Sequence, residues 1–102
     1  MPELFRFSRQ AEMDLVEIGT YTIQTWGEAQ ADRYLSQLET CCARLAKNPN
    51  VGRACDDIRP GLRRFEHGKH VVFYRKYARE ILVVRILHQR MLPERQQFDE
   101  TT

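Results

Sequence analysis

Apolar positions change their period along the chain, and the changes mark its elements. Leu4-Phe5-Arg6-Phe7 alternates over four residues and predicts a short strand. From Ala11 the spacing becomes helical: Ala11, Leu15, Ile18 and Thr22 form one stripe, with Asp14 and Glu17 outside it. Ser8 stands where an N-cap hydroxyl is needed, and Glu12 and Asp14 lie near the positive end of this helix. Trp26-Gly27 closes the segment, glycine suiting the residue that ends many helices. A second helix follows, with Ala31, Tyr34, Leu35, Leu38, Cys42 and Leu45 on one face. Asp32, Arg33, Gln37 and Glu39 lie largely opposite, and Asn48-Pro49 stops the helix. So short a link makes the two helices an antiparallel hairpin.

Beyond Pro49 the period shortens. Asn50 to Gly61 reads as a loop ending in a turn at Pro60-Gly61. Leu62 to Phe65 is a short strand, His67-Gly68 a tight turn, and Val71 to Tyr74 a strongly strand-forming run. Alternation within 62–65 turns Arg63 and Phe65 one way and Leu62 and Arg64 the other, and Leu62 is expected to face the helices. Tyr77 to Glu80 makes the next turn. Ile81 to Leu87, the most apolar run, predicts a central strand buried on both faces. Leu92-Pro93 ends regular structure apart from one helical turn through Gln97. The order is strand, helix, helix, strand, strand, strand. It predicts an α+β domain spanning residues 1–102, with a helical hairpin on one face of a mainly antiparallel sheet.

Charge adds an asymmetry that the net value of +2 conceals. Residues 1–50 carry five basic and seven acidic side chains, residues 51–92 ten and four, and residues 93–102 one and three. Thirteen of the sixteen basic residues are arginine, whose planar fork suits carboxylates and phosphates. A concentrated basic half implies an anionic partner, either nucleic acid or an acidic protein segment. No run approaches the ~20 apolar residues of a membrane span, and Met1 to Arg6 lacks a leader pattern, so the expected compartment is the cytoplasm, with no membrane partner. Cys41, Cys42 and Cys55 have no metal-ligand spacing and read as core residues; no metal or cofactor is expected.

The residues that could carry function follow from this pattern. Arg59, Arg63, Arg64, Arg75, Arg85 and Arg90 make up the basic constellation. Arg85 lies within an apolar strand, where burial without a partner is costly, so it must reach a carboxylate or the open face of the sheet. His70 begins a strand and His88 ends one; each could titrate near neutrality, and each reads first as a structural residue bonded to a neighbour. His67 reads as a solvated turn residue. Tyr21, Trp26 and Tyr34 read first as core aromatics, although Trp26, at the hairpin tip, is placed to anchor a partner if exposed.

An ordered set of short motifs between Phe7 and Met91 resembles the ParE toxins of the RelE/ParE superfamily. In the helices it comprises Ala11, Asp14-Leu15, Tyr21-Thr22, Trp26-Gly27, Gln30-Ala31 and Tyr34. It continues through Asn48-Pro49, Gly52-Arg53, Ile58-Arg59-Pro60-Gly61-Leu62-Arg63-Arg64, Gly68-x-His70, Phe73-Tyr74-Arg75 and Arg85-Ile86-Leu87-His88-Gln89-Arg90-Met91. The resemblance implies the toxin of a type II toxin–antitoxin module, with a ParD-like antitoxin as partner and DNA gyrase as target. It also implies operator DNA binding by the complex, through the antitoxin.

The superfamily's other branch, RelE-like, cleaves mRNA on the ribosome, which requires a group to activate the 2′-hydroxyl, cations for the phosphate and an acid for the leaving oxygen. RelE-type nucleases carry a tyrosine or histidine near the C-terminus. Here Tyr77 is the last tyrosine and His88 the last histidine, so the tail after Arg90 has neither. His70 aligns where the nucleases have a strand arginine. The expectation is therefore a binder with no catalytic residues, with the nuclease as the alternative and a non-toxic co-repressor as a third reading.

Overall fold

Two amphipathic helices and a set of apolar strands can hide their apolar sides only by stacking as layers. The computed structural model describes residues 4–102; Met1, Pro2 and Glu3, included above in the domain range and the leader reading, lie outside the described residues. Its elements are β1 (Leu4–Phe7), α1 (Arg9–Trp26), α2 (Glu28–Lys47), β2 (Arg53–Ala54), β3 (Leu62–His67), β4 (His70–Lys76) and β5 (Glu80–His88), with 3-10 turns at Pro49–Val51 and Pro93–Arg95. The sheet runs β1-β5-β4-β3-β2. β1 is parallel to β5, and the other pairs are antiparallel.

This is the α+β architecture read from the pattern, with differences at β2, at the last turn and in β3. β2 lies in the segment read as loop; its two exposed residues pair with Arg64 and Arg63 and leave no apolar alternation to detect. The last helical turn stops at Arg95, short of Gln97. Leu62 faces away from the helices, and Phe65 faces them. Alternation in β3 is as expected, but its sense is reversed. Register makes that choice: Phe65 sits opposite Val72, a residue of the hairpin-covered face, and a period of two cannot say which parity turns inward.

The hairpin rests on one face of the sheet, where Ala11, Ile18, Leu38, Cys42 and Leu45 meet Val72, Tyr74, Ile81, Val83 and Ile86. On the opposite face Cys55, Leu62, Val71, Phe73, Leu82, Val84 and Leu87 form a second cluster, covered by Phe98 from the tail. β5 is consequently buried on both faces, as its composition predicted. Gly27 alone separates α1 from α2. Its N–H donates to Ile23 O at 2.9 Å, its carbonyl accepts from Ala31 N at 3.1 Å, and its φ of 92° disfavours any residue with a side chain.

β5 carries a bulge. Phe73 pairs with Arg85 and Tyr74 with Val83, leaving Val84 without an opposite residue. Beyond the end of β1 the start of α1 satisfies the backbone groups this exposes. Ser8, fully buried, accepts from Ala11 N at 3.1 Å as the N-cap and donates its hydroxyl to Val84 O at 2.7 Å. On the other side of β4, buried Tyr74 donates to Pro49 O at 2.6 Å and accepts from Gly52 N at 3.0 Å. A Cβ on Gly52 would collide with that hydroxyl and lie 2.8 Å from Arg64 O, so close backbone approach accounts for the glycine.

Candidate functional site

The nine residues singled out in the sequence separate into four places. Arg59, Arg75 and Arg85 gather around the tail on the second face. Arg75 grips Glu100 with both arms of its fork, Nε at 2.6 Å and Nη2 at 2.8 Å, and donates a third bond to Pro60 O at 2.7 Å. Arg59 Nη1 reaches Phe98 O at 2.6 Å and Glu100 Oε2 at 3.2 Å. Hydrogen bonds from Arg75 first, and also from Arg59, hold the Glu100 carboxyl below its ordinary value, and the bond to Glu100 raises the Arg75 guanidinium above its own. Arg85 finds its carboxylate inside the chain: Nε and Nη2 each lie 2.9 Å from Asp14, and Nη1 donates to Gln97 O at 2.7 Å. Asp14, read as lying outside the buried stripe, is itself buried.

Arg64 shares this face. Its guanidinium lies over the Phe73 ring at 5.3 Å, its buried Nε has no hydrogen-bond partner, and no carboxylate pairs with it among the described residues. Arg63 points the other way and has a structural task, donating to Asn50 O at 3.1 Å and to Gly52 O.

The histidines form the third place. Tyr34 of α2 shares a 2.6 Å hydrogen bond with His70 Nδ1, and the His70 and His88 rings meet edge to face at 5.4 Å. His67 is the last residue of β3 rather than part of the turn, half-buried with its ring 5.9 Å from Tyr34. Burial, then the neighbouring His88 and His67, lower the His70 pKa to about 4. At neutral pH His70 is uncharged, and the Tyr34 hydroxyl lies between His70 Nδ1 and the His67 carbonyl, 3.4 Å away. Burial raises the Tyr34 hydroxyl. All three thiols are buried and pushed up, Cys42 to about 12, as core cysteines are. Arg90 is exposed in the turn after His88, where its N–H donates to His88 Nδ1 at 3.1 Å.

The fourth place is the outer side of the hairpin, and it corrects the reading of its aromatics. Trp26 is 66% exposed and Tyr21 65%, so neither belongs to the core. Met13 (63%), Val16 (69%) and Ile23 (47%) form an exposed row on α1 away from the buried stripe, and Trp26 stands apart from it at the hairpin tip, one turn beyond Thr22. The row borders an apolar groove between the two helices, lined by Phe7, Val16, Ile23, Leu35 and Cys42. The sequence reading missed this surface, although the i, i+3, i+10 spacing of Met13, Val16 and Ile23 was there to find. It also missed Phe98 and Glu100, which have no periodicity to reveal them.

A helical hairpin on a mixed five-stranded sheet is the α+β fold of the RelE/ParE toxins. A chain of the chromosomal ParDE TA system from P. aeruginosa superposes with a TM-score of 0.71 at 21% identity, covering 85% of this chain and 96% of that one. One from the toxin–antitoxin complex RelBE2 of Mycobacterium tuberculosis gives 0.62 at 19%, covering 86% and 99%. In sequence, Toxin ParE1 of Mycobacterium tuberculosis is 45% identical over 92 residues, 89% of this chain and 94% of that protein. Toxin ParE1 of Caulobacter vibrioides is 41% identical over 87 residues, covering 85% and 90%. The family described as ParE toxin of type II toxin-antitoxin system, parDE, matches residues 5–93. The chain belongs to the ParE toxin family of type II toxin–antitoxin systems.

Proposed function

We propose that this toxin acts by gripping DNA gyrase, without catalysis or cofactor, and is neutralised by a ParD-like antitoxin whose C-terminal segment folds onto it. The observation that carries this reading is the exposed row Met13, Val16 and Ile23 at the interhelical groove, with Trp26 exposed at the hairpin tip. Apolar side chains at helical spacing around a groove fit an amphipathic helix, and an exposed tryptophan is a common anchor of such contacts. An antitoxin helix would lie along the hairpin, with Arg59, Arg63, Arg64, Arg75, Arg85, Arg90, His70 and His88 as further candidate contacts for antitoxin or gyrase. The antitoxin would supply operator DNA binding for the complex, and the target puts the site of action in the cytoplasm. No helix among the described residues is long and apolar enough to cross a membrane. The decisive measurement is gyrase supercoiling and DNA cleavage with purified toxin, with and without antitoxin. Inhibition that antitoxin reverses is expected; undiminished supercoiling at toxin concentrations that saturate the antitoxin would refute the proposal.

Ribosome-dependent RNA cleavage is the second reading, and the Tyr34–His70–His88 cluster is the observation in its favour. His70 is neutral at physiological pH, and Tyr34 is less acidic than usual, so neither is tuned to deliver or accept a proton readily. Primer extension on translated messages after induction would reveal new 5′ ends within codons if this reading held.

A further inference from the structure

The tail that covers the second face lies beyond the family match, which ends at residue 93. It has no regular secondary structure, yet it is held at several points by side chains of the body. Gln97 O accepts from Arg85, Phe98 O from Arg59, and Asp99 N donates to Gln10 Oε1 at 2.9 Å. Thr101 O accepts from Arg9 N at 2.9 Å. Between these points the Phe98 ring stands edge-on to Phe73 at 5.3 Å and is 6% exposed, and Glu100 takes the forks of Arg59 and Arg75. An irregular segment held through an aromatic pocket and a carboxylate clamp two residues apart is the geometry of a bound peptide.

We propose that this face is a receptor for an extended acidic peptide carrying an aromatic residue two positions before a glutamate, and that residues 97–101 occupy it in cis. The trans occupant is an acidic segment of the neutralising partner, an assignment of source that rests on the antitoxin reading above. Two observations argue for exchange. The first is that docking relies on one forked ion pair, Arg75–Glu100 (side chains 20% and 23% exposed), a more exposed pair to Arg59 (45%) and isolated bonds rather than on a ladder. The Arg59 pair and the isolated bonds are individually weak, and the ion pairs are salt-sensitive. The second is that the cis tail leaves the receptor incompletely satisfied. Arg64 shares the Phe73 ring with Phe98 and has no carboxylate among the described residues, so a partner segment with one more acid gains a contact that the tail does not make. The apolar cluster of Phe73, Val84 and Leu87 is covered in part by Phe98, so a departing tail leaves a surface that favours replacement.

The test uses the full chain and a fluorescein-labelled peptide of the tail's own sequence, Arg-Gln-Gln-Phe-Asp-Glu-Thr-Thr, followed by fluorescence anisotropy. Opening the cis site with the double substitution F98A/E100Q should tighten binding of this peptide by about ten-fold or more relative to the unsubstituted chain. E100Q alone, the milder change, should tighten it by a smaller factor and serves if the double variant does not fold. Adding R75A to E100Q, or replacing the peptide's glutamate by glutamine, should abolish the gain, and added salt should reduce it. Equal, weak binding by wild type and E100Q would overturn the proposal. So would concentration-dependent dimers of wild type that vanish in E100Q, because the occupant would then be the tail of a second copy. No gyrase enters this measurement, so its failure is separable from failure of the gyrase reading. Unlabelled antitoxin that binds the toxin but leaves the peptide in place would remove the assigned source.

Discussion

Arg85 Nε and Nη2 each lie 2.9 Å from one oxygen of Asp14, and the backbone N–H of Ile86 donates to the same carboxylate at 2.9 Å. The pair joins the β5 bulge to the first turns of α1, with both side chains nearly buried (12% and 10% exposed). A buried pair of this kind contributes little net stability over an apolar replacement, but breaking one side leaves a charge without compensation. Asp14→Ala should therefore cost about 3–5 kcal/mol in urea unfolding, and a Asp14→Leu/Arg85→Met double variant clearly less. Equal losses in the two would show that the penalty comes from packing rather than charge.

The histidine cluster predicts a pH dependence with a definite sign. His70 has its pKa lowered from 6.5 to about 4, so the folded state favours the neutral ring. The unfolded chain binds more protons between those values, and stability is full above 6.5 and falls as pH drops toward 4. The expected loss is on the order of 1–2 kcal/mol after solvent screening, and His70→Gln should flatten the dependence over this range. NMR titration of the His70 ring is the direct check. Tyr34→Phe removes the hydroxyl bonded to Nδ1 and should shift that titration, upward if the hydroxyl donates to the ring and downward if it accepts.

Tyr74 is a stability determinant through its hydroxyl as much as its ring. Tyr74→Phe leaves Gly52 N–H and Pro49 O without their shared partner and should cost about 1–3 kcal/mol. Hydrogen exchange should show the Gly52 amide losing protection while the β5 amides keep theirs.

On the hairpin, exposed positions allow binding to be separated from folding. Val16→Glu and Ile23→Glu should change stability by only about 0.5 kcal/mol. Each should weaken antitoxin binding by about ten-fold or more in titration calorimetry, and Trp26→Ala likewise. Unchanged affinity in all three would move the antitoxin off this surface.

Much of this architecture could be read before any coordinate. Helical spacing around Ala11, Ile18 and Leu38, the stop at Asn48-Pro49 and the β-branched run from Ile81 are local signals, and they fixed element type and order because each depends on residues adjacent in sequence. Family motifs spread from Phe7 to Met91 carried the class in the same local way. Which face of β3 turns inward was beyond local reach, since parity follows from pairing with β4. The partner of Arg85 was hidden for a related reason: Asp14 lies 71 residues away and meets it only because the bulge and the helix start converge.

The sequence by itself determined the layers, their order and a basic half in need of anions. Tertiary structure alone decided where those anions come from, placing Asp14 and Glu100 of the same chain on Arg85 and Arg75 and leaving Arg64 without one among the described residues. Charge and periodicity are properties of neighbouring residues, whereas ion pairing depends on distances through space that folding creates.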